Sequence, residues 1–453
     1  MMRWTAGSVA AALGVPAPAG AGGPAFSAVS TDTRRLAGGE LFVALAGDRF
    51  DAHDFLADAR RRGAAAAVVR RGTPPVDGLP FFQVSDPRDA LGRLARARRR
   101  ALPAASPVVA VTGSSGKTSV KEMLRAALGA RWRGRVHATT GNLNNLVGVP
   151  LTILDAPEDT AALVVEAGAS VPGEIAALRA IIEPTIGVIT NVGHAHVEGF
   201  GSFAGVLREK LSLLDGVPVA VVGTEPPELA VEARRRARTV VAGTAPEAGV
   251  RPDAATLDDD GYPVIRWLGH EVTLPVVGFH QIENAMLALA TAREAGVEPG
   301  PAVAALAGVR FPPGRGAIVQ AGGLTVIDDS YNANPESLHR AVEFASWLAA
   351  RRRRPLALVV GTMLELGPES ARWHARAAGE IVALEPRPAL IAAVGELGTA
   401  LEAHRAALGD RLIVAPDAEA LGPRLRAALA GDEVVLLKAS RGVALERVLP
   451  FLT

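Results

Sequence analysis

Val108-Val-Ala-Val-Thr-Gly113-Ser-Ser-Gly116-Lys117-Thr118-Ser119-Val-Lys-Glu-Met123 is the stretch on which the reading of this chain turns. A short apolar run with the pattern of a buried strand is broken by glycines, and a helical pattern follows. A strand that enters a glycine turn and opens a helix gathers backbone N–H groups and the positive helix end around one point, which suits a phosphate. There Lys117 reaches the terminal phosphates and Thr118 holds Mg²⁺. Only two residues separate Gly113 from Gly116-Lys117, where the long form of such loops has four. The strand before and the helix after therefore carry the assignment.

The same pattern repeats downstream. Ala162-Leu-Val-Val165, Ile186-Gly-Val-Ile189 and Val217-Pro-Val-Ala-Val-Val222 each precede glycine turns and helical periodicity, which predicts a mainly parallel sheet with helices on both faces. After the turn at Phe311-Pro-Pro-Gly314 come Thr325-Val-Ile327, Leu356–Val360, Ala389–Val394, Leu412-Ile-Val414 and Val434–Leu437, a second series of dinucleotide-fold type. Upstream, Glu40-Leu-Phe-Val-Ala-Leu45 and an alanine-rich stretch end in Arg96-Ala-Arg-Arg-Arg100, and Leu102–Pro107 reads as a linker. The expected organisation is α/β in three domains, 1–103, 104–312 and 313–453. The arginine run there and Arg351–Arg354 read as solvated helix-end charge, since cations suit the negative pole of a helix.

Composition narrows the function. The 453 residues fit about three domains at roughly 150 each. Basic and acidic residues nearly cancel, 48 against 47, which argues against a nucleic-acid binder. No cysteine is present, so disulfides, thiolate metal sites and thiol catalysis are excluded. No run reaches the ~18 apolar residues of a membrane span. Met1-Met2-Arg3 and the apolar stretch behind it have a signal-like outline. Thr5 ahead of Ser8–Leu13, with Gly14 behind, reads instead as a capped helix of a cytoplasmic protein. Only four of the 48 basic residues are lysines: Lys117, Lys121, Lys210 and Lys438. A lysine that survives such a bias is expected where a compact cation able to lose its proton is needed. Lys121 and, more weakly, Lys438 read as accidental survivors.

Two further segments carry chemistry. Leu163-Val-Val-Glu166 ends a strand in a carboxylate, a common metal position beside a phosphate loop. Thr190-Asn191-Val-Gly-His194-Ala-His196 puts two histidines on one face if extended, which suggests zinc or hydrogen bonding more naturally than magnesium.

Taken together, these pieces resemble the Mur ligases of peptidoglycan synthesis over nearly the whole chain. The resemblance runs through Ser30-Thr-Asp-Thr-Arg34, Leu41–Asp54, the phosphate loop, Thr140-Gly-Asn-Leu-Asn-Asn145, Glu166–Glu174 and Asn191–Ser202. It continues through Gly278–Asn284, Pro313-Gly-Arg-Gly316, Asp328-Asp-Ser-Tyr-Asn-Ala-Asn-Pro335, Met363–Gly367 and Lys438–Gly442. The chain departs from the pattern at Leu146, Ser170-Val171, Leu211-Ser212, Gln281 and Thr362. The asparagine-rich segments point to the branch that joins D-alanyl-D-alanine to a UDP-N-acetylmuramoyl-tripeptide. Asp32-Thr-Arg34 and Asn332-Ala-Asn334 disfavour a sister ligase adding one amino acid and a folylpolyglutamate-type ligase. A non-catalytic nucleotide scaffold would not need a carbamate lysine.

The resemblance implies a small N-terminal UDP-binding domain, a central P-loop ATPase and a C-terminal Rossmann-like domain. It implies ATP, two Mg²⁺ ions, CO₂ held as a lysine carbamate and a monomer acting on small molecules, without nucleic acid or membrane. Thr112, Gly113, Ser114, Ser115, Gly116, Lys117, Thr118 and Ser119 match the ATP-phosphate site. Thr118 and Glu166 match one magnesium, His196 matches a ligand to the second, and Lys210 falls at the carbamylated lysine. Asn284, Arg315, Asp329 and Tyr331 match the nucleotide contacts. Thr31, Asp32 and Arg34 match the uridine end, Asn142, Asn144 and Asn145 the muropeptide, and Asn332 with Asn334 the incoming dipeptide.

Overall fold

Strands and helices alternate along the chain in the computed structural model, which describes residues 4–21, 23, 25–47 and 50–452. Met1-Met2-Arg3 of the signal-like outline, and Asp48-Arg49 within the Leu41–Asp54 motif, lie outside the described residues. The chain divides into two units, Met1–Val111 with Trp132–Ala169 and Gly173–Gly187, and Thr112–Arg131 with Ser170–Pro172 and Val188–Thr453.

The first unit opens with the helix Ala6–Leu13, capped by Thr5 in a capping box with Ser8 and closed by a left-handed Gly14, as its sequence predicts. A four-stranded parallel sheet follows, in the order Val29–Ser30, Leu41–Val43, Ala66–Arg70 and Phe81–Val84, with Phe42 and Phe82 fully buried. Further along, Ala162–Glu166 lies between Val108–Thr112 and Val136–Ala138, parallel to both. These strands are buried along their length except at Val136 and His137, which fits near-continuous apolar runs.

The arginines ending the helix Pro87–Arg100 correct the solvated-charge reading. The Arg98 guanidinium donates to the carbonyls of Ala156 (2.9 Å) and Pro157 (2.8 Å), and Arg99 donates to those of Ile182 and Glu183. Arg96 and Arg100 both pair with the Glu183 carboxylate. The charge run therefore fastens this helix to the residues that follow the linker.

The Arg100 hydrogen bond, with Arg96 beside it, holds the Glu183 carboxyl at about 2. A carboxylate depressed from its usual range stabilises the fold above its unfolded value, near 4.5, and loses that contribution as pH falls toward 2. Glu183→Gln is therefore expected to lower the denaturation midpoint at neutral pH, with the difference from wild type closing between pH ~4.5 and ~2. Denaturant titrations of both proteins across that range provide the check, and a gap independent of pH refutes it.

In the second unit Val219–Val222 pairs in parallel with Arg238–Val241. The strand Ile186–Ile189 straddles the division between the units. Ala254–Leu257, Pro263–Trp267 and His270–Thr273 form an antiparallel sheet absent from the sequence reading. A six-stranded sheet runs in the order Ala317–Ala321, Leu324–Asp328, Val434–Lys438, Leu356–Val360, Leu390–Val394, Leu412–Ala415, and only the first pair is antiparallel. Separate apolar cores form around it, one including Leu338, Phe344 and Leu348, the other Leu421, Leu425 and Val448. Within Arg351–Arg354 the helix-end charge stays largely solvated at Arg351, while Arg352 and Arg354 are committed to partners. Arg351 pairs with Asp259 and Arg352 with Asp260, while Arg354 bonds the carbonyls of Gly323 and Asp432. Among the described residues no helix is long and apolar enough to cross a membrane.

Candidate active site

The phosphate loop forms where the sequence places it, between the strand Val108–Thr112 and the helix Lys117–Gly129. Gly116 takes φ +79° ahead of the helix, and a Cβ there would lie 2.5 Å from Asn284 Oδ1. At Gly113 a Cβ would stand 1.9 Å from Thr190 Oγ1. Both glycines are therefore required by close approach. The loop is fastened from Thr190-Asn191. Thr190 Oγ1 donates to the Ser115 carbonyl (2.5 Å), and Asn191 accepts from the Ser114 and Ser115 amides through its carbonyl and Oδ1, each at 3.0 Å. Ser114 Oγ meanwhile bonds both backbone groups of Gly193.

With the Ser114 and Ser115 amides committed to the scaffold, an anion would be met chiefly by the start of the helix, where leading N–H groups have no carbonyl within the helix. Lys117 Nζ donates to the Gly113 carbonyl (2.7 Å), which keeps the ammonium against the loop. The Thr112 hydroxyl at the strand end is fully buried and lacks a hydrogen-bond partner among the described residues, an orphaned polar atom that fits a polar occupant nearby.

Asn284 sits on the helix His280–Glu294 and donates to Gln281 Oε1 (2.9 Å). Gln281 Nε2 lies 3.0 Å from His280 Nε2, so the departure at Gln281 builds a carboxamide bridge between His280 and Asn284. Burial holds His280 neutral, at about 3, and pushes the Glu283 carboxyl up. A cavity of about 550 Å³ beside this helix is lined by Phe279, His280, Glu283, Glu225, Thr244 and Arg340 among others.

The two histidines do not share one face. His196 has φ 59°, so the chain is not extended there, and each ring takes its own carboxylate. His194 Nδ1 lies 2.6 Å from Glu336 Oε1, with its ring against Phe203 and Trp373. His196 Nδ1 lies 2.6 Å from Glu365 Oε2, and this contact holds the Glu365 carboxyl below its usual range. The paired-histidine zinc reading is corrected by this geometry.

Lys210, on the helix Phe203–Leu211, is 1% exposed and has its ammonium 6.0 Å from the Phe200 ring. Lys121 and Lys438 are equally interior. Lys121 pairs with Glu122 Oε1 at 2.6 Å, and Lys438 Nζ donates to Asp329 Oδ2 at 2.6 Å and to the Asn332 carbonyl at 2.9 Å. The accidental-survivor reading of these two lysines is therefore wrong.

Around the second sheet, Arg315 lays its guanidinium 4.0 Å from the Tyr331 ring centre, and Arg441 approaches that ring at 5.8 Å. Arg315 Nε is buried and lacks a hydrogen-bond partner among the described residues. Asp329 of the expected ribose contact is held by Lys438, a partner not foreseen. Asn332 Oδ1 accepts from the Ala333 amide, and Asn334 Oδ1 caps the helix Pro335–Arg352 through the Ser337 amide. Asn334 thus has a folding role at the position read as dipeptide-facing.

In the first unit Asn144 Nδ2 donates to Glu166 Oε1 (2.9 Å), and Thr139 Oγ1 accepts the Glu166 amide. Asn145 caps the turn ahead of the helix Gly148–Leu154, and Asn142 is exposed. Asp32, held at about 2 by its Arg34 hydrogen bond, caps the short turn Thr33–Arg35, with Thr31 beside it. Among the described residues no group of three or more histidine and acidic side chains stands ready as a metal cage. Thr118, His196 and Lys210 belong to one unit and Glu166 to the other.

Residues 25–99 match the Mur ligase family catalytic domain, 111–292 the Mur ligase middle domain and 314–441 the Mur ligase glutamate ligase domain. The chain is 38% identical to the UDP-N-acetylmuramoyl-tripeptide–D-alanyl-D-alanine ligase of Escherichia coli, covering 93% of each. It is 32% identical to the ligase of the same name from Bacillus subtilis, over 93% of this chain and 92% of that one. A crystal structure of MurF from Acinetobacter baumannii superposes with TM-score 0.87 at 28% identity, covering 100% and 99% of the two chains. MurF ligase from Thermotoga maritima in complex with ADP gives TM-score 0.80 at 30% identity, covering 94% and 96%.

Proposed function

The chain belongs to the Mur ligase family, and from that premise we propose that it joins D-alanyl-D-alanine to a UDP-N-acetylmuramoyl-tripeptide. It is an ATP-dependent carbon–nitrogen ligase. A carboxylate resists an amine until one of its oxygens becomes a leaving group. The terminal carboxylate of the tripeptide therefore attacks the γ-phosphorus of ATP, the bond to ADP breaks, and an acyl phosphate forms. The dipeptide amine then attacks the acyl carbon, phosphate leaves, and the amine proton passes to solvent or base. Catalysis by the protein lies in positioning and in neutralising phosphate charge.

The residues take distinct parts in this reading. Residues 112–119 hold the phosphates, with Lys117 as the mobile cation. Asn284 contacts the base, Arg315 the phosphates, Asp329 the ribose and Tyr331 the adenine. Mg²⁺, when bound, screens the phosphate oxygens; Thr118 and Glu166 would hold one ion, and His196 with carbamylated Lys210 the other. Thr118, Glu166 and a carbamate supply hard oxygen donors, which suit an ion that keeps water and substrate oxygens in its shell. Thr31, Asp32 and Arg34 bind the uridine end and Asn142, Asn144 and Asn145 the muropeptide, while Asn332 faces the dipeptide. Domains at 1–103, 104–312 and 313–453, a monomeric state and a cytoplasmic location complete the proposal.

The observation that carries it is likeness over more than nine-tenths of the chain to relatives bearing this one activity. Phosphate release is expected only when ATP, the UDP-muramyl tripeptide and D-alanyl-D-alanine are all present. Release without the dipeptide would mark an ATPase, and no release at all a nucleotide-binding scaffold; either result overturns the reading.

A further inference from the structure

We infer that Glu365 is a positioning residue for His196, its carboxylate holding the Nδ1 side of the ring so that Nε2 meets the divalent cation. The inference rests on the assignment of His196 to magnesium made above. Glu365 Oε2 lies 2.6 Å from His196 Nδ1. The approach is an ion-pair contact whose direction falls short of a hydrogen bond as it stands, and a proton on Nδ1, with the carboxylate ionised, turns two repelling lone pairs into an attraction. With Nδ1 so occupied, Nε2 is the nitrogen whose lone pair remains for a metal. A carboxylate behind a ligating imidazole fixes its tautomer and orientation and raises its basicity.

The backbone shows that this contact is built. His196 and Glu365 both adopt left-handed conformations, φ 59° and 64°, which non-glycine residues rarely take. Glu198 donates its amide to the Glu365 carbonyl (3.3 Å), and a Cβ at Gly367 would approach Glu198 Cα to 3.1 Å. The segment Met363–Gly367, which follows the strand Leu356–Val360, is thus seated on the turn that carries His196. Met363 and Leu364 are anchored in turn, the Met363 amide donating to His374 Nε2 and the Leu364 amide to Ser440 Oγ, each at 2.9 Å. Metal affinity is thereby tied to the placement of this segment, because the loop that orients the ligand belongs to the second sheet.

Mn²⁺ binding to the protein loaded with a non-hydrolysable ATP analogue, followed by the paramagnetic resonance of free Mn²⁺, tests this. Glu365→Ala is expected to weaken Mn²⁺ by roughly 10–100-fold. Glu365→Gln, which keeps an oxygen acceptor, is expected to stay within about threefold. Long-range ¹H–¹⁵N spectra of the His196 ring should show the Nδ1–H tautomer in the wild type and in Glu365→Gln, and a mixture in Glu365→Ala. Metal-free nucleotide affinity and circular dichroism, unchanged in both variants, establish that they fold. If His196→Ala loses Mn²⁺ but Glu365→Ala does not, or if the wild-type ring is the Nε2–H tautomer, the positioning role is overturned while the metal assignment stands. If His196→Ala binds Mn²⁺ as tightly as wild type, the metal assignment itself falls, and the inference with it.

Discussion

Lys117→Ala is expected to lower turnover by about 10³-fold while leaving affinity for the UDP-muropeptide within about threefold. Lys117 Nζ sits on the Gly113 carbonyl of the loop, and in the proposed reaction it is the cation that neutralises charge on the transferred phosphate. The loop's shape does not depend on it, because Thr190 and Asn191 hold Ser114 and Ser115. Truncation should therefore remove a transition-state contact without unfolding the turn. Lys117→Arg is expected to fail nearly as badly, since a planar guanidinium cannot replace a compact ammonium behind Gly113. Steady-state kinetics with calorimetry of the UDP-muropeptide separate the two effects. An equal collapse of kcat and of muropeptide affinity would show that nucleotide and muropeptide binding are not separable as proposed.

The parts of this molecule that were legible beforehand share a physical cause. Strands such as Leu356–Val360 and Leu390–Val394 are buried along their length and therefore appear as unbroken apolar runs. Ala254–Leu257 escaped notice because none of it is buried and its partner Pro263–Trp267 alternates, so neither shows such a run. The glycine turn at 113–116 was legible because positive φ and close approach leave few alternatives. Arginine runs were misread since a charge pattern does not disclose which carbonyls it will meet, and Arg98 and Arg354 met several. Lysine scarcity marked four positions, of which Lys121, Lys210 and Lys438 are buried, and the error lay in exempting Lys121 and Lys438. Asn334-Pro-Glu-Ser337 carries the signature of a helix start, cap followed by proline, and could have been read as one. Glu365 lies in the Met363–Gly367 stretch that carries the resemblance, but nothing local in it disclosed a part for the carboxylate. Its role depends on a tertiary contact with a residue far away in the chain.

Lys210 supplies the other large effect. Lys210→Ala is expected to reduce activity by at least about 10²-fold, with partial recovery on adding a short carboxylic acid. The side chain is 1% exposed, with its nitrogen 6.0 Å from the Phe200 ring centre. A neutral amine can attack CO₂; the N–C bond forms, one N–H proton leaves to solvent, and the product is an N-carboxylate able to bind a cation. Arginine stays protonated and cannot follow that course, so Lys210→Arg should be as inactive as Lys210→Ala although it retains positive charge and length. A carbamate signal in ¹³C spectra after exposure to ¹³CO₂, absent in both variants, would tie the loss to the modification. Full activity in Lys210→Arg would rule it out, because the cation alone would then suffice.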